Sequence, residues 1–187
     1  MKLRNYLQQR ITLSPEEWKV FEGMLIKESY PKKFPLLKKG SIEEYVSFIE
    51  KGIVRFYVPG EELDTSFAFI FEEEFLCAYD SFLLQQPCRY AAETVTETTI
   101  WRLSYHDLQT LYEDYPQFNI LGRILSEQIY LKKADRELAF LTQTPEERYT
   151  ALFSQRPNVM KFIPLQYIAT YIGITPQALS RIRKRIS

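Results

Sequence analysis

The segment that begins at Leu165 constrains the fold of this chain most strongly. It reads LQYIATYIGITPQALSRIRKRIS, with small Ala169 where two crossed helices would approach closely. Gly173, four residues later, falls where the turn between them requires a left-handed backbone. Thr175 can cap the second helix, and Pro176 suits its first position. The pattern predicts a helix-turn-helix, with apolar side chains for its core at Ile168, Ile172, Ile174, Leu179 and Ile182.

The outer face of the predicted second helix is polar and basic. In a helix-turn-helix this helix enters the major groove, and its early residues meet base edges. Gln177 can pair with adenine, Arg181 can pair with the O6/N7 edge of guanine, and Pro176 offers an apolar contact to a thymine methyl. Arg183 and Arg185 are expected to touch phosphate, which sets affinity rather than sequence choice. The predicted DNA-facing residues are Thr175, Pro176, Gln177, Ser180, Arg181, Arg183, Lys184 and Arg185.

Charge is distributed unevenly along the chain. The formal net charge is zero, but no acidic residue follows Glu147, and residues 148–187 carry a net +7. Residues 1–147 therefore carry −7. Such a division is typical of an acidic body joined to a basic module that meets a polyanion.

A long helix is predicted over residues 116–141, PQFNILGRILSEQIYLKKADRELAFL. Side chains recur along it at alternating spacings of three and four, as in a coiled-coil seam. We expect this seam to form a homodimer; the alternative is that the stripe packs against the chain's own β-domain. The predicted dimerisation residues are Leu121, Ile124, Gln128, Leu131, Asp135 and Leu138.

The stretch before that helix alternates with the period of β-strands. YVSFIEKGIVRFYV reads as two strands joined at residues 50–52, and LDTSFAFIF and RYAAETVTETTIWRLS alternate in the same way. Short antiparallel strands at this spacing favour a small barrel or sandwich. Capping boxes open helices at Ser14 and at Thr144. The predicted units are a β-domain at 1–115, the long helix at 116–141 and the helix-turn-helix domain at 142–187.

Several functional classes lack their sequence signals. One histidine and two separated cysteines, Cys77 and Cys88, are too few for a metal site or an iron–sulfur cluster. No phosphate-binding glycine loop or nucleophile motif is present, so no cofactor and no enzyme activity is expected. No apolar run is long enough for a membrane span, and the N-terminus does not read as a secretory signal. A cytoplasmic protein is expected.

Taken together, the predicted β-domain, long helix and helix-turn-helix resemble the Crp/Fnr superfamily of bacterial transcription regulators. LLKKGSIEEYVSFIEKGIVRFYV is similar to the first half of the family's cyclic-nucleotide-binding β-roll, and YIATYIGITPQALSRIRKRI to its DNA-binding motif. The resemblance implies an α+β fold: an antiparallel β-roll of double-stranded β-helix or jelly-roll type, a dimerisation helix and a C-terminal helix-turn-helix. It also implies a homodimer on a near-palindromic DNA site, with a small-molecule effector and RNA polymerase as further partners.

The sequence departs from the family at the effector site. Cyclic-nucleotide binders have a Gly-Glu pair for the ribose, and about ten residues later an Arg, a small residue and Ala for the cyclic phosphate. Here the first position reads Ala78-Tyr79-Asp80, and only Arg89 and Ala91 remain of the second. We therefore expect no tight cAMP binding, and two alternatives stay open: the roll binds another small ligand, or it binds none. The candidate effector residues are Tyr79, Asp80, Arg89, Tyr90 and Ala91.

A second departure concerns the β wing that many family members place after the recognition helix. The sequence reaches Ser187 directly after that helix, so the wing is expected to be missing, with Arg183 and Arg185 replacing its hold on the DNA backbone. A different function stays open on this basis. The chain could be a ligand-binding or protein-interaction module whose basic C-terminus contacts protein or RNA.

Overall fold

The computed structural model describes residues 1–157 and 159–186, without the side chains of Val159 and Met160, so Ser187 lies outside the described residues. The helices are α1 (Lys2–Gln8), α2 (Pro15–Met24), α3 (Tyr79–Leu84), α4 (Tyr105–Asp114), α5 (Pro116–Thr142), α6 (Pro145–Gln155), α7 (Val159–Phe162), α8 (Leu165–Tyr171) and α9 (Pro176–Ile186). The strands are β1 (Ile26–Tyr30), β2 (Pro35–Leu37), β3 (Tyr45–Lys51), β4 (Val54–Val58), β5 (Thr65–Ile70), β6 (Phe75–Leu76), β7 (Ala91–Thr94) and β8 (Thr98–Ser104).

The strands form two antiparallel four-stranded sheets. One has the order β1-β8-β3-β6 and the other the order β2-β7-β4-β5. Their facing side chains make a core from Ile49, Val54, Phe56 and Ile100. The α+β fold and the antiparallel β-roll predicted from the sequence are confirmed.

The connection at residues 50–52 joins two strands, β3 and β4, as the sequence predicts. The two strands that it joins do not pair as a hairpin, because β3 pairs with β8 and β6 while β4 pairs with β5 and β7. Gly52, at a φ of +108°, carries the chain from one sheet to the other. A Cβ there would lie 2.5 Å from the Thr98 Oγ1 atom, so the position needs glycine for space as well. Alternation of side chains identifies strands but not their partners.

The helix starts follow from local side-chain chemistry. Ser14 and Thr144 each accept a hydrogen bond from the N–H three residues on, and the backbone N–H of each capping residue donates to the carboxylate of Glu17 or Glu147. Both predicted capping boxes are confirmed. The long helix is observed at Pro116–Thr142, one residue longer than predicted.

Helix α5 packs along the β-roll at its start and reaches the helix-turn-helix at its end. Its Phe118 and Leu121 join Phe48 and Leu103 of the roll in one buried cluster. A second cluster unites Phe69 of the roll with side chains of α6, α8 and α9. The roll and the C-terminal helices therefore share a core across the expected domain boundary.

Candidate nucleic-acid interface and effector cavity

The turn between α8 and α9 has the geometry that the sequence pattern requires. Gly173 has a φ of +81°, and a Cβ there would lie 2.7 Å from the Phe140 ring of α5. Thr175 accepts a hydrogen bond of 3.2 Å from the Ala178 N–H and so caps α9. The apolar positions predicted for the motif core are fully buried at Ile168, Ile172, Leu179 and Ile182, and Ile174 is half-buried.

Most side chains predicted to face DNA lie on the open side of α9. Pro176 is half-buried, and the exposed members are Thr175, Gln177, Ser180, Arg181 and Lys184. Arg181 makes no ion pair with any residue in 1–157 or 159–186. A planar guanidinium held on a helix without an internal partner is suited to bidentate recognition of an anion or a guanine edge.

The last two predicted phosphate contacts have partners inside the chain. Arg185 forms an ion pair of 2.7 Å with Glu146 of α6, and both side chains are substantially exposed. Arg183 is half-buried and interacts with Tyr149, also of α6. An exposed ion pair contributes about 0–1 kcal/mol, so Arg185 can exchange Glu146 for another anion at little cost.

Helix α5 presents a line of apolar side chains to solvent. Ile120, Leu131, Leu138 and Leu141 are exposed, at 47, 58, 58 and 78%. Ile124 and Ala134, both half-buried, complete spacings of four and three along the same line, in which the exposed Glu127 takes the position between Ile124 and Leu131. This stripe has the period of a coiled-coil seam.

The stripe changes the register predicted for the dimer seam. Leu121 is only 6% exposed because it belongs to the core of its own chain, so it is unsuited to a seam. Gln128 accepts a hydrogen bond of 3.3 Å from the Tyr6 hydroxyl of α1. Ile124, Leu131 and Leu138 fit both registers, whereas exposed Asp135 fits only the predicted one. The alternative of packing against the chain's own β-domain thus holds for the first turns of α5.

A cavity of about 720 Å³ lies between the roll and α5. Phe56 and Phe67 stack with centroids 6.0 Å apart, and Tyr90 meets Phe67 edge to face at 4.9 Å. On the helix side the cavity is lined by Leu125 and Ile129. Its central part is therefore aromatic and aliphatic, while cations such as Lys132 and Arg136 line its far end near the helix-turn-helix.

Three candidate effector residues are engaged in hydrogen bonds of the protein itself. The Tyr90 hydroxyl donates to the Asp80 carboxylate, and burial together with this bond raises the pKa of Tyr90. The Tyr79 hydroxyl and the Ser126 hydroxyl of α5 are 2.6 Å apart. Ala91 is buried in β7. The carboxylate of Asp80, the residue that could replace the family's glutamate, thus already accepts a hydrogen bond from Tyr90.

Arg89, the remnant of the phosphate half, is exposed and does not line the cavity. Its position contradicts a role in holding a cyclic phosphate inside the roll. Tyr79 and Tyr90 line the cavity, whereas Asp80, Arg89 and Ala91 do not. The structure therefore brings only part of the predicted effector set to the cavity.

The sequence interpretation missed a buried carboxylate beside α3. Glu43 is 8% exposed and accepts hydrogen bonds of 3.3 Å from the backbone N–H groups of Ala78 and Tyr45. Burial raises the pKa of Glu43, although these two bonds act in the opposite direction. The adjacent Glu44 is exposed, so nothing in the pair Glu43-Glu44 singles out the buried member in sequence.

Burial also raises the pKa of both cysteine thiols. The pKa of Cys77 lies well above the usual range, and the increase for Cys88 is smaller. Thiols of this kind are largely protonated at neutral pH and so are weak nucleophiles and ligands. No group of three or more metal-ligating side chains occurs within residues 1–157 and 159–186.

Comparison with known proteins identifies relatives of this architecture. Residues 27–115 match the model of the cyclic nucleotide-binding domain family. The chain carries a cyclic nucleotide-binding domain in a Crp/Fnr fold. No curated protein matches it in sequence.

Three solved structures illustrate that fold around the cyclic nucleotide-binding domain. FixK2 from Bradyrhizobium japonicum is 17% identical with a TM-score of 0.74, covering 87% of this chain and 84% of its own. A putative Crp/Fnr-family regulator from Eubacterium rectale is 12% identical with a TM-score of 0.73, covering 97% and 87%. The c-di-GMP-responsive regulator CLP from Xanthomonas campestris is 13% identical with a TM-score of 0.70, covering 90% and 89%. In the described part of the chain, no helix has the length and apolarity to cross a membrane.

Proposed function

We propose that this protein is a dimeric, sequence-specific DNA-binding transcription regulator of the Crp/Fnr type, and not an enzyme. The observation that carries the proposal is the α8–α9 pair. Its turn glycine, Gly173, has the left-handed backbone that the motif needs, and the open face of α9 presents Gln177 and Arg181. The fold shared with FixK2, CLP and the Eubacterium rectale protein supports it.

In this proposal α9 is the recognition helix. Gln177 and Arg181 read adenine and guanine in the major groove, and Ser180 and Pro176 contact neighbouring base edges. The backbone contacts come from Lys184, Thr175, Arg183 and Arg185. Arg185 leaves Glu146 when it reaches a phosphate.

The dimer forms through the exposed stripe of α5. Two parallel copies would bury its apolar side chains and place two recognition helices about 34 Å apart, one turn of DNA. The site would then be near-palindromic. The proposed seam consists of Ile120, Ile124, Leu131, Ala134, Leu138 and Leu141.

The proposed units are the sensor domain at 1–115, the dimerisation helix at 116–141 and the DNA-binding domain at 142–187. A regulator of this type acts in the cytoplasm and can contact RNA polymerase. Its effector, where it has one, occupies the aromatic cavity and is not a cyclic nucleotide, because Arg89 lies outside that cavity.

Selection of bound sequences from random duplexes tests DNA binding, dimer symmetry and base choice in one experiment. We expect enrichment of a near-palindromic site with half-sites one helical turn apart. Absence of any enriched sequence at low salt would contradict the proposal and favour a module whose basic end contacts protein or RNA.

Calorimetric titration with cAMP and cGMP tests the effector part separately. We expect no binding tighter than roughly millimolar. The matched variant is Arg89→Ala, which should leave the titration unchanged. Micromolar binding that Arg89→Ala abolishes would show instead that Arg89 turns inward to hold the cyclic phosphate.

A further inference from the structure

A buried arginine joins the β-roll to the first helix of the DNA-binding motif. Arg55 of β4 is 2% exposed and forms ion pairs of 2.7 Å with Glu93 and with Asp64. Its guanidinium lies between two rings, 4.0 Å from the centroid of Tyr57 and 3.7 Å from that of Tyr167 in α8. The Tyr167 hydroxyl donates to Glu93 at 3.2 Å, so one carboxylate serves both partners.

The same helix covers the free edge of a sheet. Strand β5 is the last strand of its sheet, and its outer backbone groups need partners. Thr170 of α8 accepts a hydrogen bond of 3.1 Å from the Ser66 N–H. Arg136 of α5 donates to the Phe67 carbonyl at 2.9 Å and to the Tyr171 carbonyl at 3.1 Å, which ties strand, long helix and α8 together.

A carboxylate at the far end of β5 extends this contact. Glu74 pairs with Lys132 of α5 at 3.2 Å and also with Arg156, which follows α6. Arg156 in turn lies 4.5 Å from the centroid of the Phe71 ring. The helix-turn-helix is thus fastened to the roll at two separate places.

The loop between β4 and β5 brings negative charge to this contact. It reads PGEELD over residues 59–64, and Asp64 is the residue that pairs with Arg55 against α8. Glu61 and Glu62 are exposed and make no ion pair with any residue in the described ranges 1–157 and 159–186. In helix-turn-helix complexes the first helix crosses the sugar–phosphate backbone. The loop ends at Asp64, whose partner Arg55 stacks on Tyr167 of α8, so its acidic side chains would repel DNA that approaches this helix.

We propose that the docking of α8 on the β5 edge, together with the acidic 59–64 loop, is an autoinhibitory contact that must open before the protein binds DNA tightly. The inference rests on the proposed DNA-binding function. Phe67, whose carbonyl Arg136 holds, also lines the aromatic cavity, so a ligand there acts on the strand that fastens α8.

A reversible cross-link between Ser66 and Thr170 tests the proposal, because the two residues are in direct contact across the docking surface. The full-length variant Ser66→Cys/Thr170→Cys is oxidised, and the 66–170 bond is verified by peptide mass spectrometry. Its affinity for duplexes selected by the wild-type protein is then measured before and after reduction. The single variant Thr170→Cys, treated in the same way, controls for the native Cys77 and Cys88.

We expect the oxidised protein to bind at least about tenfold more weakly than the reduced protein, with no change for Thr170→Cys. Equal or tighter binding by the oxidised protein, with the reduced protein binding normally, overturns the inference and leaves DNA binding intact. Failure of the wild-type protein to bind any duplex removes the proposed function, and the inference with it.

Neutralising the loop is a second test that needs no cross-link. The variant Glu61→Gln/Glu62→Gln should bind the same duplexes on the order of threefold more tightly at low salt, with the gain vanishing at high salt. The matched control is Glu113→Gln/Asp114→Asn, two adjacent exposed acids at the end of α4. An equal gain in the control pair would assign the effect to net charge and overturn a specific role for the loop.

Discussion

The helix-turn-helix and the roll cavity contrast in how their candidate side chains are used. On α9, Gln177, Arg181 and Lys184 face outward on a helix anchored by buried Leu179 and Ile182. Around the cavity, the tyrosines and the aspartate chosen by resemblance bond to side chains of the protein itself, and Arg89 points to solvent. The first region keeps its polar groups available for a partner, and the second satisfies them internally, as buried polar groups must be.

The difference shows which kinds of site can be assigned to a chain by resemblance to a family. A helix-turn-helix is local, because one glycine, one small residue and a helical period bring its reading face together within about two turns on each side. A ligand site in a roll needs side chains from separate strands to converge, and a few substitutions redirect them. The following experiments probe each region, beginning with the helix that joins them.

The largest effect is expected for the dimer stripe of α5. Leu131→Ala removes an exposed apolar side chain from both copies of the proposed seam, which should cost about 3–6 kcal/mol per dimer. Sedimentation over a concentration series measures the dissociation constant. The control is Gln128→Ala, which belongs to the register predicted from sequence and bonds to Tyr6. Because Leu131 fits both registers, Leu141→Ala, which belongs to the exposed stripe alone, decides between them. A greater loss in Gln128→Ala than in Leu141→Ala would restore the predicted register.

The turn between α8 and α9 comes next. Gly173→Ala places a Cβ at a φ of +81° and 2.7 Å from the Phe140 ring, so we expect a loss of about 1–3 kcal/mol in the free energy of unfolding. Denaturant unfolding measures it. Gly40→Ala, at a φ of +90° with open space, has the strain without the contact, and Gly23→Ala in α2 has neither. Equal losses for Gly173→Ala and Gly40→Ala would mean that Phe140 simply moves aside.

The proposed DNA contacts of α9 assign different roles to Arg181, which would read a base, and to Arg185, which would contact phosphate. Arg181→Ala should cost about 1–3 kcal/mol at one base pair and relax sequence choice there. Arg185→Ala should weaken all duplexes similarly and lower the salt slope by about 1. Competition binding with selected and random duplexes at several salt concentrations measures both. Equal losses on both duplexes for Arg181→Ala would contradict its base-reading role.

The smallest effect concerns the roll and depends on pH. Because the native pKa of Glu43 is raised, its stabilising contribution is fully present below its unfolded pKa and is lost as the pH rises through its native pKa. Glu43→Gln should therefore gain stability relative to wild type as the pH rises through that window. Urea unfolding across the acidic range measures this difference, and the exposed neighbour supplies the control Glu44→Gln. A difference that does not change with pH would contradict the raised pKa.

Local chemistry made much of the architecture predictable. The capping boxes at Ser14 and Thr144, the cap at Thr175 and the length of α5 each depend on residues a few positions apart. Strand pairing could not be predicted from the sequence. The turn at Gly52 joins strands of different sheets, and the alternation of side chains does not indicate which strands pair. The proposed seam of α5 differs from the one predicted from sequence for a related reason. Leu121 and Leu131 look alike in sequence, and only the roll distinguishes the buried one from the exposed one.

The sequence by itself determined the long helix, the capped helices and the exposed polar face of α9, because helical period, caps and a turn glycine act within a few residues of one another. Only the tertiary structure decided that Arg89 lies outside the cavity, that Glu43 is buried, and that Arg55 and Tyr167 stack between roll and motif. Arg55 and Tyr167 are 112 positions apart in the chain. Contacts at that separation arise from packing of whole sheets and helices, which no local pattern encodes.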